Sequence, residues 1–196
     1  MFKDAVDMYI KIVTTFIFAY WQIYWWVTER QANRKKSKTQ PRTWKSKVRY
    51  AIARIFPILI FFQLFGIIVV EFPRNIPLQI VGLLLVILGV FTSISARKTL
   101  SHNWTHAAEY QIKKDHELVT KGVYRYIRHP IYAGLLVAYT GAELILQSYL
   151  FIIVFLVIFL LIYIQGKQEE KILLKHFGKK YEEYMKKTKM LFPYVL

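Results

Sequence analysis

Residues 116–134 read HELVTKGVYRYIRHPIYAG, a polar stretch between two long apolar segments, and the fold prediction starts from them. Histidine and arginine are costly to place at a membrane face and are usually functional there. Pro130 suits the first turn of a helix, where its missing N–H costs nothing, and it biases His129 out of the helical region. We therefore predict a membrane helix that begins at Pro130. His129 and Tyr132 then stand at its cytoplasmic mouth, beside the free backbone N–H groups of the first turn.

Around this stretch, apolar runs alternate with basic segments. Hydrophobic residues make up 55% of the 196 residues, although the formal net charge is +16. A helix needs about 20 apolar residues to cross a bilayer core. On this basis we predict an all-α integral membrane protein, one multi-pass domain over residues 1–196 with five transmembrane helices. The spans are expected at residues 6–27, 50–70, 76–96, 131–146 and 149–164, the last two as a helical hairpin around Gln147–Tyr149.

The basic residues predict the orientation of these spans. Lysine and arginine are concentrated in residues 28–49, 97–129 and the tail from Gln165, whereas the turns at residues 71–75 and 147–149 contain only Arg74. Cytoplasmic loops carry the excess of basic residues. Five spans put all three basic segments on one side, so the N-terminus is expected outside and the C-terminus in the cytoplasm. Which membrane holds the protein does not follow from this pattern.

Composition also weighs against several classes of function. A net charge of +16 is compatible with nucleic-acid binding, but basic loops beside apolar spans are what membrane insertion favours, so no nucleic-acid partner is predicted. The chain has no cysteine, which excludes disulfides, thiolate metal sites and a cysteine nucleophile. His102 and His106 are spaced to share a helical face, but a metal site usually needs three or four ligands. No metal is predicted.

Four further features receive structural interpretations. The aromatic end of the first span, Tyr20–Trp26, is expected to anchor at the headgroup level. Gly82 and Gly89 favour close helix packing. Glu143 lies near the outer end of its span and is expected to be a wet, interfacial residue. The tail from Glu169 to Lys187 has apolar residues at helical spacing, which predicts an amphipathic helix on the cytoplasmic surface, broken at Gly178.

The C-terminal half, from about Arg97 to Pro193, resembles the isoprenylcysteine carboxyl methyltransferases and their bacterial and archaeal relatives. No single motif element is specific for this family, but the order in which the elements occur between these spans is specific. The spans before residue 97 match this family only in being hydrophobic. The elements that carry the resemblance are His102-Asn103-Trp104, His116-x-Leu118-Val119-x-x-Gly122-x-Tyr124, Arg128-His129-Pro130-x-Tyr132-x-Gly134, Glu169-Glu170, Phe177-Gly178, Tyr181, Tyr184 and Pro193.

The resemblance implies an enzyme that binds S-adenosylmethionine at the cytoplasmic face and methylates a carboxylate on a lipid or lipidated acceptor in the membrane. The cofactor pocket would be formed by residues 97–134 and 165–193. The cofactor contacts implied by the resemblance are Glu109, where the family often has glutamine, and His116, Glu117, Leu118, Val119, Tyr124, His129, Pro130, Ile131, Tyr132 and Glu169. Since adjacent residues on a helix point about 100° apart, only one of Glu169 and Glu170 is expected to face the site, and Glu169 is chosen.

The acceptor side departs from the family pattern. Better-known members carry an arginine four residues before the equivalent of Glu169, and this chain has Gln165 there, assigned here to substrate binding. The substrate clamp would then come from another residue, such as Arg125 or Lys167. His129, Tyr132 and Arg125 are the candidate catalytic residues. A carboxylate acceptor needs no base, whereas a phenol or enol would use His129 or Glu109.

Two other classes of function remain open at this point. Some membrane sterol reductases share the arginine-His-Pro-x-Tyr-x-Gly step and would bind NADPH, although they usually have more spans and more charges in the tail. A membrane scaffold without activity would bind neither cofactor. The identity of the acceptor and the oligomeric state do not follow from the sequence.

Overall fold

The computed structural model describes residues 2–34, 44–67, 71–104 and 116–194, and these residues are predominantly helical. The helices are α1 (Phe2–Arg34), α2 (Trp44–Leu64), α3 (Ile76–Leu100), α4 (Pro130–Ile145), α5 (Phe151–Phe177) and α6 (Lys179–Lys187), with short 3₁₀ turns at Ser101–Asn103 and Gly122–Arg125. The all-α prediction is confirmed for these residues. Glu109 and His106 lie outside them, as does the rest of residues 105–115.

Local sequence explains where α3, α4 and α5 begin or end. The side chain of Asn75 accepts a hydrogen bond from the backbone N–H of Leu78 and thereby caps α3. Pro130 is the first residue of α4, as predicted, and His129 before it has φ −124° and ψ 59°, outside the helical region. Gly178 ends α5 at φ +53°, a conformation that glycine adopts without the steric penalty of a Cβ atom.

Two of these helices are long and apolar enough to cross a membrane by themselves. They are α3 and α5, whereas Arg54–Leu64 of α2 and the 16 residues of α4 form shorter apolar helices. The outward faces of α1 and α2 nevertheless carry large exposed apolar side chains, among them Phe16 and Ile58. Such faces suit a lipid environment, but five crossings stay a prediction.

Two connections meet at one end of the bundle, beside the start of α1. At this end, Lys11 of α1 pairs with Glu71 at 3.3 Å, and Arg74 pairs with Asp4. Glu71 also forms an isolated antiparallel bridge with Ser148, in the turn between α4 and α5. The start of α1 and both turns predicted on the outer side therefore lie together.

Helices α3 and α4 pack with their backbones in close contact through small residues. A Cβ atom added to Gly89 would lie 2.5 Å from the backbone nitrogen of Ala138, and one added to Gly82 would lie 2.6 Å from the carbonyl oxygen of Gly141. Neither distance is compatible with a side chain. The packing role predicted for Gly82 and Gly89 is therefore confirmed, and it fixes the start of α4 relative to the end of α3.

Helix α4 occupies the centre of the bundle, which corrects two expectations. Trp21 is buried against Phe18 and Tyr139, and Trp25 packs edge-on against Trp104, so these two rings of the aromatic end stabilise the interior. Glu143 is fully buried rather than wet. Gln63 of α2 donates a hydrogen bond to its carboxylate at 3.3 Å. The burial of a side chain cannot be predicted from its distance to the end of a span, because burial depends on which helices surround that span.

The tail also differs from the prediction. The break at Gly178 is confirmed, but residues 165–177 continue α5 directly and do not form a separate surface helix. Only α6 is a distinct element, and its Tyr181 and Tyr184 are buried. The continuity of α5 carries the polar Gln165–Phe177 segment beyond the predicted span, which ends at residue 164, and places it beside the start of α4.

Candidate active site

The start of α4 is held in place by the C-terminal tail. The backbone N–H of Arg128 donates to the carbonyl of Lys189 at 2.8 Å, and that of His129 donates to the carbonyl of Met190 at 3.0 Å. Ile127 and Lys189 form an isolated parallel bridge just before these bonds. The segment that precedes Pro130 therefore has a fixed backbone, and the His129 side chain is presented toward α5.

A polar cluster forms where α4 faces the extension of α5. The Tyr132 hydroxyl donates a hydrogen bond to the Glu169 carboxylate. Gln165 donates to the same carboxylate at 3.0 Å, and His129 Nδ1 lies 3.6 Å from its other oxygen. The His129 and Tyr132 rings are stacked, with centroids 5.5 Å apart. Four residues predicted from the sequence are thus brought into direct contact.

Both adjacent glutamates lie close to His129, whereas the expectation that only Glu169 faces the cofactor stays a prediction. Glu170 Oε1 lies 3.5 Å from His129 Nε2, on the opposite side of the ring from Glu169, and 2.6 Å from Arg128 Nε. Lys167 Nζ lies 3.7 Å from the other Glu170 oxygen. The imidazole lies between the two carboxylates, with one near each ring nitrogen.

The two carboxylates differ in electrostatic environment. Burial raises the pKa of Glu169, and the contacts with His129, Tyr132 and Gln165 oppose that rise only in part. Burial also disfavours the charged form of Glu170, but hydrogen bonding from His129 and Arg128 outweighs it and lowers the pKa of this carboxyl to about 2. Glu170 is therefore committed to Arg128 and His129, whereas Glu169 remains available for a cationic ligand.

The segment before the 3₁₀ turn reaches a second part of α5. Asn103 accepts a hydrogen bond from the backbone N–H of Glu117 at 2.9 Å, which ties this segment to the end of α3. The His116 ring lies 5.9 Å from the Phe177 ring. Leu118 and Val119 are partly buried, and the Glu117 side chain is exposed. Phe177 stands two turns beyond Glu169 on α5, about 12 Å along the helix axis at ~1.5 Å per residue.

Tyr124 is buried beneath this region. Its carbonyl accepts a hydrogen bond from the Tyr184 hydroxyl of α6 at 2.6 Å. Burial, together with the charges of Tyr184 and Glu169, raises the pKa of Tyr124 well above its ordinary value. The phenol is therefore neutral at physiological pH, and the backbone carbonyl of Tyr124 connects this segment to α6.

Three predicted site residues, Pro130, Ile131 and Arg125, do not belong to the polar cluster. Pro130 is buried and Ile131 partly buried, and they shape the wall of the site through the backbone. Arg125 is exposed at the end of its 3₁₀ turn, so its assignment as a catalytic residue gains no support from contacts. The arginine that contacts the cluster is Arg128, which the sequence reasoning quoted in the Arg-His-Pro step but gave no role. The position of Arg128 directly before His129 was the feature of the sequence that could have identified it as a site residue.

No metal site is found in the described part of the chain, where no group of three or more His, Cys, Asp or Glu is arranged to hold an ion. His106 lies outside that part, so the spacing of His102 and His106 is not tested. The chemistry of the cluster is that of a cation-binding carboxylate with aromatic and amide neighbours.

Comparison with known proteins is consistent with this arrangement. The model of the phospholipid methyltransferase family matches residues 78–180, just over half of the chain. The chain is 33% identical over 117 residues to the protein-S-isoprenylcysteine O-methyltransferase of Saccharomyces cerevisiae, covering 59% of this chain and 49% of that protein. It is 35% identical over 107 residues to the enzyme of the same name in Dictyostelium discoideum, covering 54% of this chain and 45% of that protein. The chain spans about half the length of the curated relatives it matches.

A solved structure shares the fold. It is that of the eukaryotic intramembrane Ras methyltransferase ICMT (isoprenylcysteine carboxyl methyltransferase), with a TM-score of 0.61 and 24% identity, over 99% of this chain and 74% of that one. The resemblance drawn from residues 97–193 is confirmed, although a place among bacterial or archaeal relatives stays a prediction. With its two long apolar helices, the chain is an integral membrane protein. The matched region includes α3, the start of α4 and the glutamates of α5, and the chain belongs to the phospholipid methyltransferase family.

Proposed function

We propose that the protein transfers a methyl group from S-adenosylmethionine to a lipid or prenylated acceptor at the cytoplasmic membrane face, most directly as a carboxyl O-methyltransferase. The observation that carries this proposal is the contact of Tyr132, His129 and Gln165 with the Glu169 carboxylate. Similarity to protein-S-isoprenylcysteine O-methyltransferases over residues of this same region supports it.

The residues present fit the donor. Its ammonium group requires an anionic partner, and Glu169 is a partly buried carboxylate that pairs with no arginine or lysine of the described residues. Its adenine requires a flat, partly apolar slot, and the segment His116–Val119 provides one with the Phe177 ring nearby. Electron-rich oxygens and ring faces at Tyr132 suit the neighbourhood of a sulfonium. Glu109 is assigned to this pocket only by the resemblance.

When bound, the donor would supply an electrophilic methyl group on sulfur. The chain needs to align the acceptor oxygen with that carbon, and a carboxylate acceptor is already ionised at neutral pH. Positioning and the exclusion of water can therefore provide most of the rate acceleration. Tyr132 and Gln165 hold the Glu169 carboxylate in one orientation, and Glu170 restrains His129, so the site is organised before ligands arrive.

The acceptor side is proposed to open toward lipid between α4 and α5. Gln165 sits one turn above Glu169, where it can donate to a carboxylate oxygen, but it brings no charge to replace an arginine. Lys167, about half exposed and next to the Tyr163 ring, provides a cation at this level. We propose that a single-chain lipid carboxylate is held by these two residues rather than by Arg125.

For the orientation, we propose the N-terminus outside and the C-terminus in the cytoplasm, with α1 to α5 all crossing the membrane. The basic loops favour it, and the shared location of residues 71–74 with the start of α1 agrees with it. The cofactor region over residues 97–134 and 165–193 would then lie at the inner face. The chain has no cysteine, so single cysteines introduced into the predicted loops can test this orientation. Labelling of each cysteine from one side or the other of sealed vesicles shows on which side its loop lies.

Ligand binding tests the function most directly. Isothermal titration of purified protein in detergent with S-adenosylhomocysteine is expected to give saturable binding, and NADPH is expected to give none. Glu169→Gln should weaken binding at least tenfold, whereas Glu182→Gln, on the exposed face of α6, should leave it unchanged. NADPH binding instead would favour a membrane reductase, and binding of neither ligand would favour a scaffold.

Methyl transfer identifies the acceptor. Membranes containing the protein are incubated with methyl-labelled donor and either a prenylcysteine analogue or a total lipid extract. Base-labile label in the organic phase indicates a methyl ester, as proposed, whereas base-stable label indicates an ether, thioether or amine product. Donor binding without label in any extract would refute the lipid acceptor while leaving the donor site standing.

A further inference from the structure

A segment after α6, residues 188–192, forms a strap that runs beneath the candidate active site. Its Met190 and Leu191 side chains are buried. A Cβ atom added to Gly166 would collide with the end of the Met190 side chain and lie 3.4 Å from the His129 ring, so strap, α5 and His129 meet without spare space. Displacement of the strap would therefore loosen the packing beneath His129.

Arg128 makes two hydrogen bonds to the strap and one to the end of α6. Its backbone N–H donates to Lys189, and its guanidinium donates to the carbonyl of Thr188 and, at 3.4 Å, to that of Met185. The same guanidinium pairs with Glu170 at 2.6 Å. Since the Arg128 side chain is only 8% exposed and Glu170 only 3%, this pair is shielded from water and its geometry is restrained.

The two adjacent glutamates have different partners and differ in exposure. Glu170 is engaged by Arg128 and His129, and its carboxylate is buried. Glu169 has its hydrogen bonds from neutral donors, Tyr132 and Gln165, and it is the more exposed of the two, at 24%. Arg128 therefore links the strap to Glu170, and Glu170 in turn contacts His129. Glu169, the carboxylate proposed to face the donor, lies on the other side of the imidazole.

We propose that Arg128 is a positioning residue that holds the strap closed beneath the donor site, acting through Glu170 and His129 without touching the donor. This inference rests on the proposed function for its catalytic readout, but the closure of the strap does not. Removal of the guanidinium frees the carbonyl of Thr188 and leaves Glu170 with Lys167 and His129 only. The strap then has no side-chain anchor on the segment before α4.

Strap mobility tests the closure without any ligand. The chain has no cysteine, so Lys189→Cys on the exposed side of the strap gives a single site for a spin label. The label is expected to become more mobile in Arg128→Ala. Guanidinium chloride at low millimolar concentration is expected to restore part of the wild-type immobility, because the free cation can occupy the place of the missing side chain. Lys175→Ala, an exposed lysine on α5, removes an equal charge and should leave mobility unchanged. An immobile label in Arg128→Ala would overturn the proposal.

Kinetics test the positioning role. Arg128→Ala is expected to raise the KM for the donor tenfold or more with a much smaller change in kcat, and Arg128→Lys, which keeps the charge, to raise it less. Should Arg128→Ala not fold, Arg128→Lys carries the same test, since a lysine cannot pair with Glu170 and reach Thr188 at once. An Arg128→Lys protein with wild-type KM and an immobile strap would refute the inference. If the wild-type protein transfers no methyl group, the proposed function fails, and the spin-label result still decides the closure.

Discussion

The buried ion pair between Arg128 and Glu170 allows a stability prediction that can be worked from the structure. Arg128→Met removes the cation and leaves a carboxylate that is 3% exposed beside His129. The fall of the Glu170 pKa from the usual 4.5 to about 2 corresponds to ~3 kcal/mol of preference for the ionised form in the folded protein. Breaking a buried pair on one side costs about 3–5 kcal/mol. Because His129 shares the ionised carboxylate with Arg128, the loss of Arg128 is expected to cost about 3 kcal/mol, at the lower end of that range.

The assay is a double-mutant cycle on protein in detergent, followed by tryptophan fluorescence during thermal unfolding. Arg128→Met and Glu170→Met are each expected to lower Tm by about 6–12 °C, at ~2–4 °C per kcal/mol for a chain of this size. The double variant should be less damaged than the sum of the two, because neither buried charge is then left alone. Additive losses, or single losses below about 1 kcal/mol, would refute the reasoning.

Acidification gives an independent check on the same pair. Because the folded pKa of Glu170 is depressed, its contribution to stability is fully present above about pH 4.5 and is lost as the pH falls toward 2. Glu170→Gln should remove this component, so the variant and the wild-type protein should converge in Tm on acidification. A stability gap that is the same at pH 7 and pH 3 would contradict the assignment.

Three further predictions concern the site and the packing that positions it. Gly89→Ala should destabilise the protein by about 1–3 kcal/mol, because the new Cβ meets backbone of α4, whereas Leu88→Ala on the exposed face should cost little; thermal unfolding compares them. Tyr132→Phe should weaken donor binding about tenfold, since the lost hydrogen bond to a carboxylate contributes ~1.5 kcal/mol, and calorimetry that finds unchanged affinity would count against it. Donor affinity should rise as the pH increases above 4.5, because Glu169 has a raised pKa and only its ionised form attracts an ammonium group; titrations between pH 5 and 8 should show this slope in wild type and not in Glu169→Gln.

Local sequence was sufficient for the features that depend on one segment. Pro130 fixes the start of α4 because its ring has no N–H and restricts the residue before it. Gly178 ends α5 because the chain there adopts φ +53°. The apolar runs predicted helices where α3 and α5 lie, both long enough to cross a membrane, and the ordered motif elements after residue 97 indicated the family.

The candidate site was predictable only in part. Tyr132, His129, Gln165 and Glu169 were identified, because the motif steps that contain them are local. The contacts of Arg128 with Glu170 and Thr188 were missed, since these partners lie 42 and 60 residues further along the chain. Glu143 was misjudged for the same reason: its burial depends on Gln63 of α2, eighty positions away.

The sequence by itself determined an all-helical membrane protein of this family, because helix length, apolar periodicity and proline or glycine positions act within a few residues. Only the tertiary structure decided which groups meet: that α4 is central, that the tail continues α5, and that His129 lies between two carboxylates. The physical reason is that burial and electrostatic pairing arise from contacts between distant segments. Those contacts are set by helix packing at Gly82 and Gly89, and no local pattern encodes them.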